Sequence, residues 1–256
     1  MFKSIPTIAC CLTLMALCLL ACGCSGFAAR GHNAQGVRFS EQGRFEDATR
    51  EFQQALLSDP KNADSYYNLA TVSHRQATTG KRPEDFKQAE SYYNQCLDRD
   101  MDHIDCHRGL AVLLAEQGYR EEAFRLVENW GNRRPNSPEP KVELARLSQE
   151  FGDLPTAKEQ LRQAIELDPN NSRALAALGK LREDAGDYQQ ALRNYRKSLQ
   201  NDRYQTDVAS RVASLQSHLG GLPAPPMTGP VPGVTPTAPT PPGGTRIVTR
   251  NTVPVR

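Results

Sequence analysis

Four segments of the chain end alike: Phe52-Gln53-Gln54-Ala55-Leu56-Leu57-Ser58-Asp59-Pro60, Tyr93-Asn94-Gln95-Cys96-Leu97-Asp98-Arg99-Asp100, Leu161-Arg162-Gln163-Ala164-Ile165-Glu166-Leu167-Asp168-Pro169, and Tyr195-Arg196-Lys197-Ser198-Leu199-Gln200-Asn201-Asp202. An alanine stands four residues before the first member of each, at Ala48, Ala89, Ala157 and Ala191. The step from Ala123 to Ala157 is 34 residues, and so is the step from Ala157 to Ala191. A fixed period of this length means a stack of like units, none of which buries its apolar face alone.

The pattern of small and bulky positions resembles the tetratricopeptide repeat (TPR). The resemblance implies an all-α fold, a right-handed superhelical solenoid of about five helix-turn-helix repeats plus a capping helix. The repeats fall at 29–62, 63–103, 104–137, 138–171 and 172–205, within a TPR domain of residues 29–220. The cap helix spans 206–220, with Val208, Val212, Leu215 and Leu219 on one face. Each unit is expected to be two antiparallel helices, A and B. Small residues at Gly36, Ala70, Ala111, Ala145 and Gly179 admit helix B, and Phe52, Tyr93, Val127, Leu161 and Tyr195 fill the space between units. Gly43, Gly118, Gly152 and Gly186 end helix A with a left-handed backbone position. Pro60, Pro135 and Pro169 stop helix B.

The units are not identical. Repeat 2 carries a seven-residue insertion around Ala77–Pro83, expected to lengthen its A–B turn. Repeat 3 has Trp130 where a small residue is usual and Val127 where a bulky one is, a paired exchange of volume. Repeat 1 has His32 in place of a bulky residue, so its helix A is expected to fray.

The first 21 residues read as an export signal: Lys3 supplies the positive end and Ile5–Leu20 the apolar core. Leu19-Leu20-Ala21-Cys22 followed by Gly23 resembles the lipobox of bacterial lipoproteins, which implies cleavage before Cys22 and lipidation of its sulfur. A plain cleaved signal, an uncleaved anchor and Cys24 as the acceptor are the alternatives. Residues 22–28 would form a lipidated linker. Gly23, rather than an aspartate, at the second mature position implies the outer membrane, facing the periplasm, in the Gram-negative lipoproteins this resembles.

Residues 221–256 hold ten prolines, five glycines, seven threonines and no acidic residue, a composition for a disordered Pro/Thr/Gly-rich tail. The tail is either a solvated spacer, a strand added to a partner's sheet edge, or a basic grip on an anionic wall polymer such as peptidoglycan. Export also places Cys96 and Cys106 where disulfides persist. They flank one turn, between helix B of repeat 2 and helix A of repeat 3, close enough to be bonded. The alternative is that Cys96 merely fills the small slot held elsewhere by Ala55 or Ala164.

A net charge of +2, from 31 basic and 29 acidic residues, disfavours a nucleic-acid binder. No nucleotide loop, nucleophile elbow or His-Glu-x-x-His is present, so no enzyme and no cofactor are expected. His103, Cys106 and His107 have metal-ligand chemistry, but they span a turn and His107 occupies a packing position, so no metal is expected either.

In the repeat family, fixed helix-A positions line a concave groove that holds a protein segment. Here these include Asn33, Val37, Tyr67, Thr71, His74, Arg108, Val112, Val142, Arg146, Gln149 and Lys180. Asn33 and Val37 replace the Lys and Asn of the chaperone-binding carboxylate clamp, which argues against that ligand. The expected function is a membrane-tethered adaptor for another envelope protein, similar in plan to repeat lipoproteins of pilus or secretion-system assembly. The alternative is a wall-associated structural protein acting through its tail.

Overall fold

A computed structural model describes residues 26–80 and 83–220. Residues 1–25, where the export signal, Cys22 and Cys24 are expected, the Lys81-Arg82 step and residues 221–256 lie outside the described residues. The fold is all-α, with no strand among the described residues. The helices are α1 (26–41), α2 (Phe45–Ser58), α3 (Ala63–Gly80), α4 (Pro83–Arg99), α5 (Ile104–Glu116), α6 (Arg120–Arg133), α7 (Glu139–Glu150), α8 (Leu154–Leu167), α9 (Ser172–Asp184), α10 (Tyr188–Asn201) and α11 (Thr206–His218). They fall into two compact units that divide after Leu113, within α5.

Four A helices end in the same way. Gly43, Gly118, Gly152 and Gly186 have φ of 74°, 80°, 81° and 79°, a region where a Cβ is strained. The residue after each glycine donates its N–H to a carbonyl five residues back: Arg44 to Phe39, Tyr119 to Leu114, Asp153 to Ser148 and Asp187 to Arg182. This closes carbonyls that the helix end would leave unpaired.

The B-to-A turns are made by an aspartate more than by proline. Asp59, Asp100, Asp168 and Asp202 each accept, through the side chain, the N–H two residues on, at 3.0–3.1 Å. Such an Asx turn mimics a backbone turn. It explains how Met101 stands where Pro60 and Pro169 stand elsewhere. Asn62 and Asn171 then cap α3 and α9 by accepting from Ser65 N and Ala174 N, each at 2.9 Å.

In the first unit, Val37, Ala48, Phe52, Leu69 and Val72 form a core, with Phe39, Phe45, Leu56 and Tyr92 against it. The α1–α2 approach is close: a Cβ on Gly36 would lie 2.5 Å from Cε1 of Phe52. Helix α1 does not fray as expected. It is formed over 26–41, and His32 Nδ1 lies 2.8 Å from Glu51 Oε2 of α2. The insertion in repeat 2 also behaves differently. Most of it extends α3, which reaches Gly80 and 18 residues, instead of lengthening a turn. Ala77 is fully buried, and Thr78 and Thr79 bond back to the carbonyls of His74 and Arg75, so these β-branched polar residues are accommodated in helix.

In the second unit, Val142, Ala145, Ala157, Leu161, Ala164, Ala174, Leu178 and Leu181 form the core between α7, α8 and α9. Trp130 and Val127, the exchanged pair of repeat 3, are both buried. Helix α11 closes this unit by laying Val208, Val212 and Leu215 against Ala191 and Tyr195. Leu219, expected on the same face, lies past the helix end and is 40% exposed. Glu183 pins the closure, accepting from Tyr195 Oη at 2.7 Å and from Arg211 Nη1 at 2.8 Å.

Candidate protein-binding faces

The A helices of the first unit are stitched side by side. Asn33 Nδ2 of α1 donates to Ser65 Oγ of α3 at 2.8 Å, and Asp64 Oδ1 of α3 meets His103 Nε2, just before α5, at 3.0 Å. That stitching changes the role of several expected groove residues. Asn33, Val37, Tyr67, Thr71 and His74 are buried. Asn33 is used up on Asn62 and Ser65, Thr71 on the carbonyl of Tyr67, and His74 faces Tyr93 Oη at 3.4 Å. Tyr67 stacks on His103, with ring centroids 5.7 Å apart. Burial pushes its phenol up to about 12, helped by the charge of Asp105. Asn33 and Tyr67 thus lie in the seam between A helices, Thr71 bonds within α3, His74 turns toward helix B, and Val37 belongs to the apolar core. Arg108, paired with Asp105, and Val112 keep partial exposure, as does Asp64.

The second unit presents its face from α7 and α9. Glu143 sits at its centre and is fully buried. It receives Arg146 Nε of its own helix at 3.1 Å and Arg173 Nη2 of α9 at 3.0 Å. A buried carboxylate survives only when paired in this way. Arg146 Nη1 continues to Glu150 at 2.8 Å, and Lys180 Nζ pairs with Asp184 at 3.0 Å. Of the expected residues, Val142 is buried, whereas Arg146 and Gln149 are half-buried and Lys180 is exposed. The face is therefore a ladder of alternating charge on a rigid pair of helices. It suits a polypeptide with both signs better than a polyanion.

Glu143 was not among the expected residues. The signal was available, because the equivalent slot of the other repeats holds Ala34, Asn68, Gly109 and Ala177, none of them charged.

Cys96, in the last turns of α4, and Cys106, in the first turn of α5, are joined as a disulfide, with Cα atoms 6.4 Å apart. His103 and His107 do not share a helical face. His103 lies before α5 and accepts from Cys106 N at 3.2 Å, whereas His107 Nε2 reaches the carbonyl of Met101 at 2.9 Å.

A family profile described as TPR repeat matches residues 36–76, and two described as tetratricopeptide repeat match 139–171 and 161–193. The chain thus carries tetratricopeptide repeats over residues 36–76 and 139–193. Among curated proteins it is similar to the human Protein O-mannosyl-transferase TMTC1, at 25% identity over 169 residues. That match covers 64% of this chain but only 18% of the relative's length. Among solved structures it is similar to TTC0263, a thermophilic TPR protein of Thermus thermophilus, with a TM-score of 0.57 and 22% identity over 74% of this chain and 100% of that one. PilF of Pseudomonas aeruginosa follows, with a TM-score of 0.52 and 20% identity over 77% of this chain and 86% of the other. At these identities the structural likeness is one of fold. A repeat array of this class is a scaffold for protein–protein interaction.

Proposed function

We propose that this protein is a non-enzymatic adaptor, exported and lipid-anchored through Cys22 in the envelope, that holds a segment of another envelope protein on its A-helix faces. The observation that carries the reading is the α7–α9 face. Arg146, Glu150, Arg173, Lys180 and Asp184 form a mixed-charge surface fixed from beneath by the buried Glu143. Such a surface aligns an extended or helical segment by its charge order, and rigid helices reduce the entropy lost on binding. The lipobox-like Leu19–Cys22 run and Gly23 support a place at the outer membrane, where a pilus or secretion subunit would be a fitting partner.

The test is affinity capture from crosslinked envelopes, comparing the parent with a Gln149→Glu/Lys180→Glu variant. Neither residue is one of the two arginines that pair with Glu143, so the fold is expected to stay intact. A partner recovered by the parent and lost by the variant supports the adaptor. Equal recovery by both, or recovery of no protein by either, defeats it. The arginine-bearing, proline-rich tail favours a second reading, attachment to the wall polymer. Loss of peptidoglycan co-sedimentation on deletion of 221–256, with protein capture unchanged, would assign that role to the tail.

A further inference from the structure

The disulfide has a neighbour that a simple staple does not need. Cys96, His103 and Cys106 are all buried, and their potential ligand atoms lie within 4.8 Å of one another. His103 is held in one tautomer from both sides. Its Nε2 carries the proton toward Asp64 Oδ1 at 3.0 Å, and its Nδ1 offers a lone pair to Cys106 N at 3.2 Å. A carboxylate on the far nitrogen of an imidazole is the outer-shell arrangement that orients metal-ligating histidines. Two sulfurs and one imidazole nitrogen form a donor set for a thiophilic d10 cation. The helices already place them: Cys96 near the end of α4, His103 in the turn and Cys106 at the start of α5.

We propose that Cys96, His103 and Cys106 form a redox-gated site for one thiophilic d10 cation such as Zn²⁺, with Asp64 orienting the imidazole. In the disulfide form the site is closed. A dithiol reductant opens it: the Cys96–Cys106 bond breaks, two electrons pass to the sulfurs, and the reductant becomes its own disulfide. The two thiols then give up two protons as the cation binds, and His103 Nδ1, giving up the hydrogen bond it accepts from Cys106 N, completes a three-ligand set with a position left for water. Ligand atoms around such an ion are ~3.5–3.8 Å apart for bonds of ~2.0–2.3 Å. The sulfurs must therefore move apart by roughly 1.7 Å from the ~2.05 Å of a disulfide, a displacement that rotation of the two cysteine side chains supplies.

The competing role for His103 is that of an N-cap, doing for α5 what Asn62 and Asn171 do for α3 and α9. His103→Asn separates the two, because asparagine keeps the cap and removes the imidazole ligand. The experiment uses the folded protein, reduced with a phosphine under argon, with Co²⁺ as the spectroscopic probe and Zn²⁺ as competitor. Helix content is followed by circular dichroism. The expected result is one equivalent of Co²⁺ with thiolate charge-transfer and tetrahedral d–d bands, displaced by Zn²⁺ and absent before reduction. His103→Asn should lose these bands while keeping its helix content. Asp64→Asn should bind roughly 10–100-fold more weakly. Reduced, folded protein in which Cys96 and Cys106 both label as thiols but no such bands form would overturn the proposal. So would His103→Asn binding as tightly as the parent, or sulfurs that become reducible only after the helices have melted.

Discussion

Gly36 and Gly179 show how little room single residues have here. A Cβ on Gly179 would stand 2.7 Å from Cε1 of Tyr195, and one on Gly36 would meet the ring of Phe52 as closely. Alanine is the better helix former, yet overpacking a filled layer outweighs propensity. Gly36→Ala should therefore destabilise by about 1–3 kcal/mol in urea unfolding. Adding Phe52→Leu should restore part of the loss, and a stabilised Gly36→Ala would contradict the packing. Gly109 plays the same part against Tyr93, since its Cβ would fall 2.5 Å from the ring's Cζ. That role was not legible in the sequence: Gly109 stands two positions before Ala111, the small residue of the repeat pattern, and only packing shows that Tyr93 crosses it.

Tyr67 gives a pH signature at the same scale. Burial raises its phenol from 10.0 to about 12. Between those values the unfolded chain loses the proton while the folded chain keeps it, so stability is full below about pH 10 and falls as pH rises toward 12. The whole loss from this group is on the order of 2–3 kcal/mol. Tyr67→Phe should flatten the alkaline limb of a urea midpoint-versus-pH curve, and an unchanged slope would count against the burial argument.

At the scale of elements, the recurring aspartates carry the weight that a reading of the repeat pattern gives to proline. Asp168→Ala removes the acceptor for Asn170 N at 3.0 Å and should cost about 0.5–1.5 kcal/mol by thermal unfolding. Pro169 alone does not replace that bond. A neutral Asp168→Ala would return the turn to the proline. Helix identity, register and the four left-handed glycines were legible because a repeat presents the same local rule several times. The fate of the insertion was not. Its Thr-Thr-Gly run reads as a loop, yet the packing of Ala77 and the back-bonding of Thr78 and Thr79 keep α3 going. The groove residues show the same limit. Position in the repeat says which helix face Asn33 and Tyr67 occupy, whereas the neighbour across the seam decides whether they are reachable. His103 and Asp64 meet across 39 residues, a separation that no local pattern encodes.

At the scale of the molecule, an array of this kind distributes its stability by neighbourhood, because each repeat touches only the next. The disulfide closes a sequence separation of 10 residues, and its removal should cost about 2–3 kcal/mol. The effect should stay local. Cys96→Ser/Cys106→Ser should raise amide hydrogen exchange in α4 and α5 and leave α8 to α10 near the parent's values. Uniformly faster exchange along the whole chain would mean that the array unfolds as one body.

The aspartate turns carry one more consequence, for how such a chain changes over generations. Asp168 and Asp202 are 34 residues apart and close their junctions with the same bond. A tandem duplication with breakpoints at these two residues would join an end to a beginning it already fits. The lengthened product should remain helical and soluble on expression. Reach then becomes a quantity that copying errors can adjust in whole steps, while the binding chemistry on each step drifts on its own.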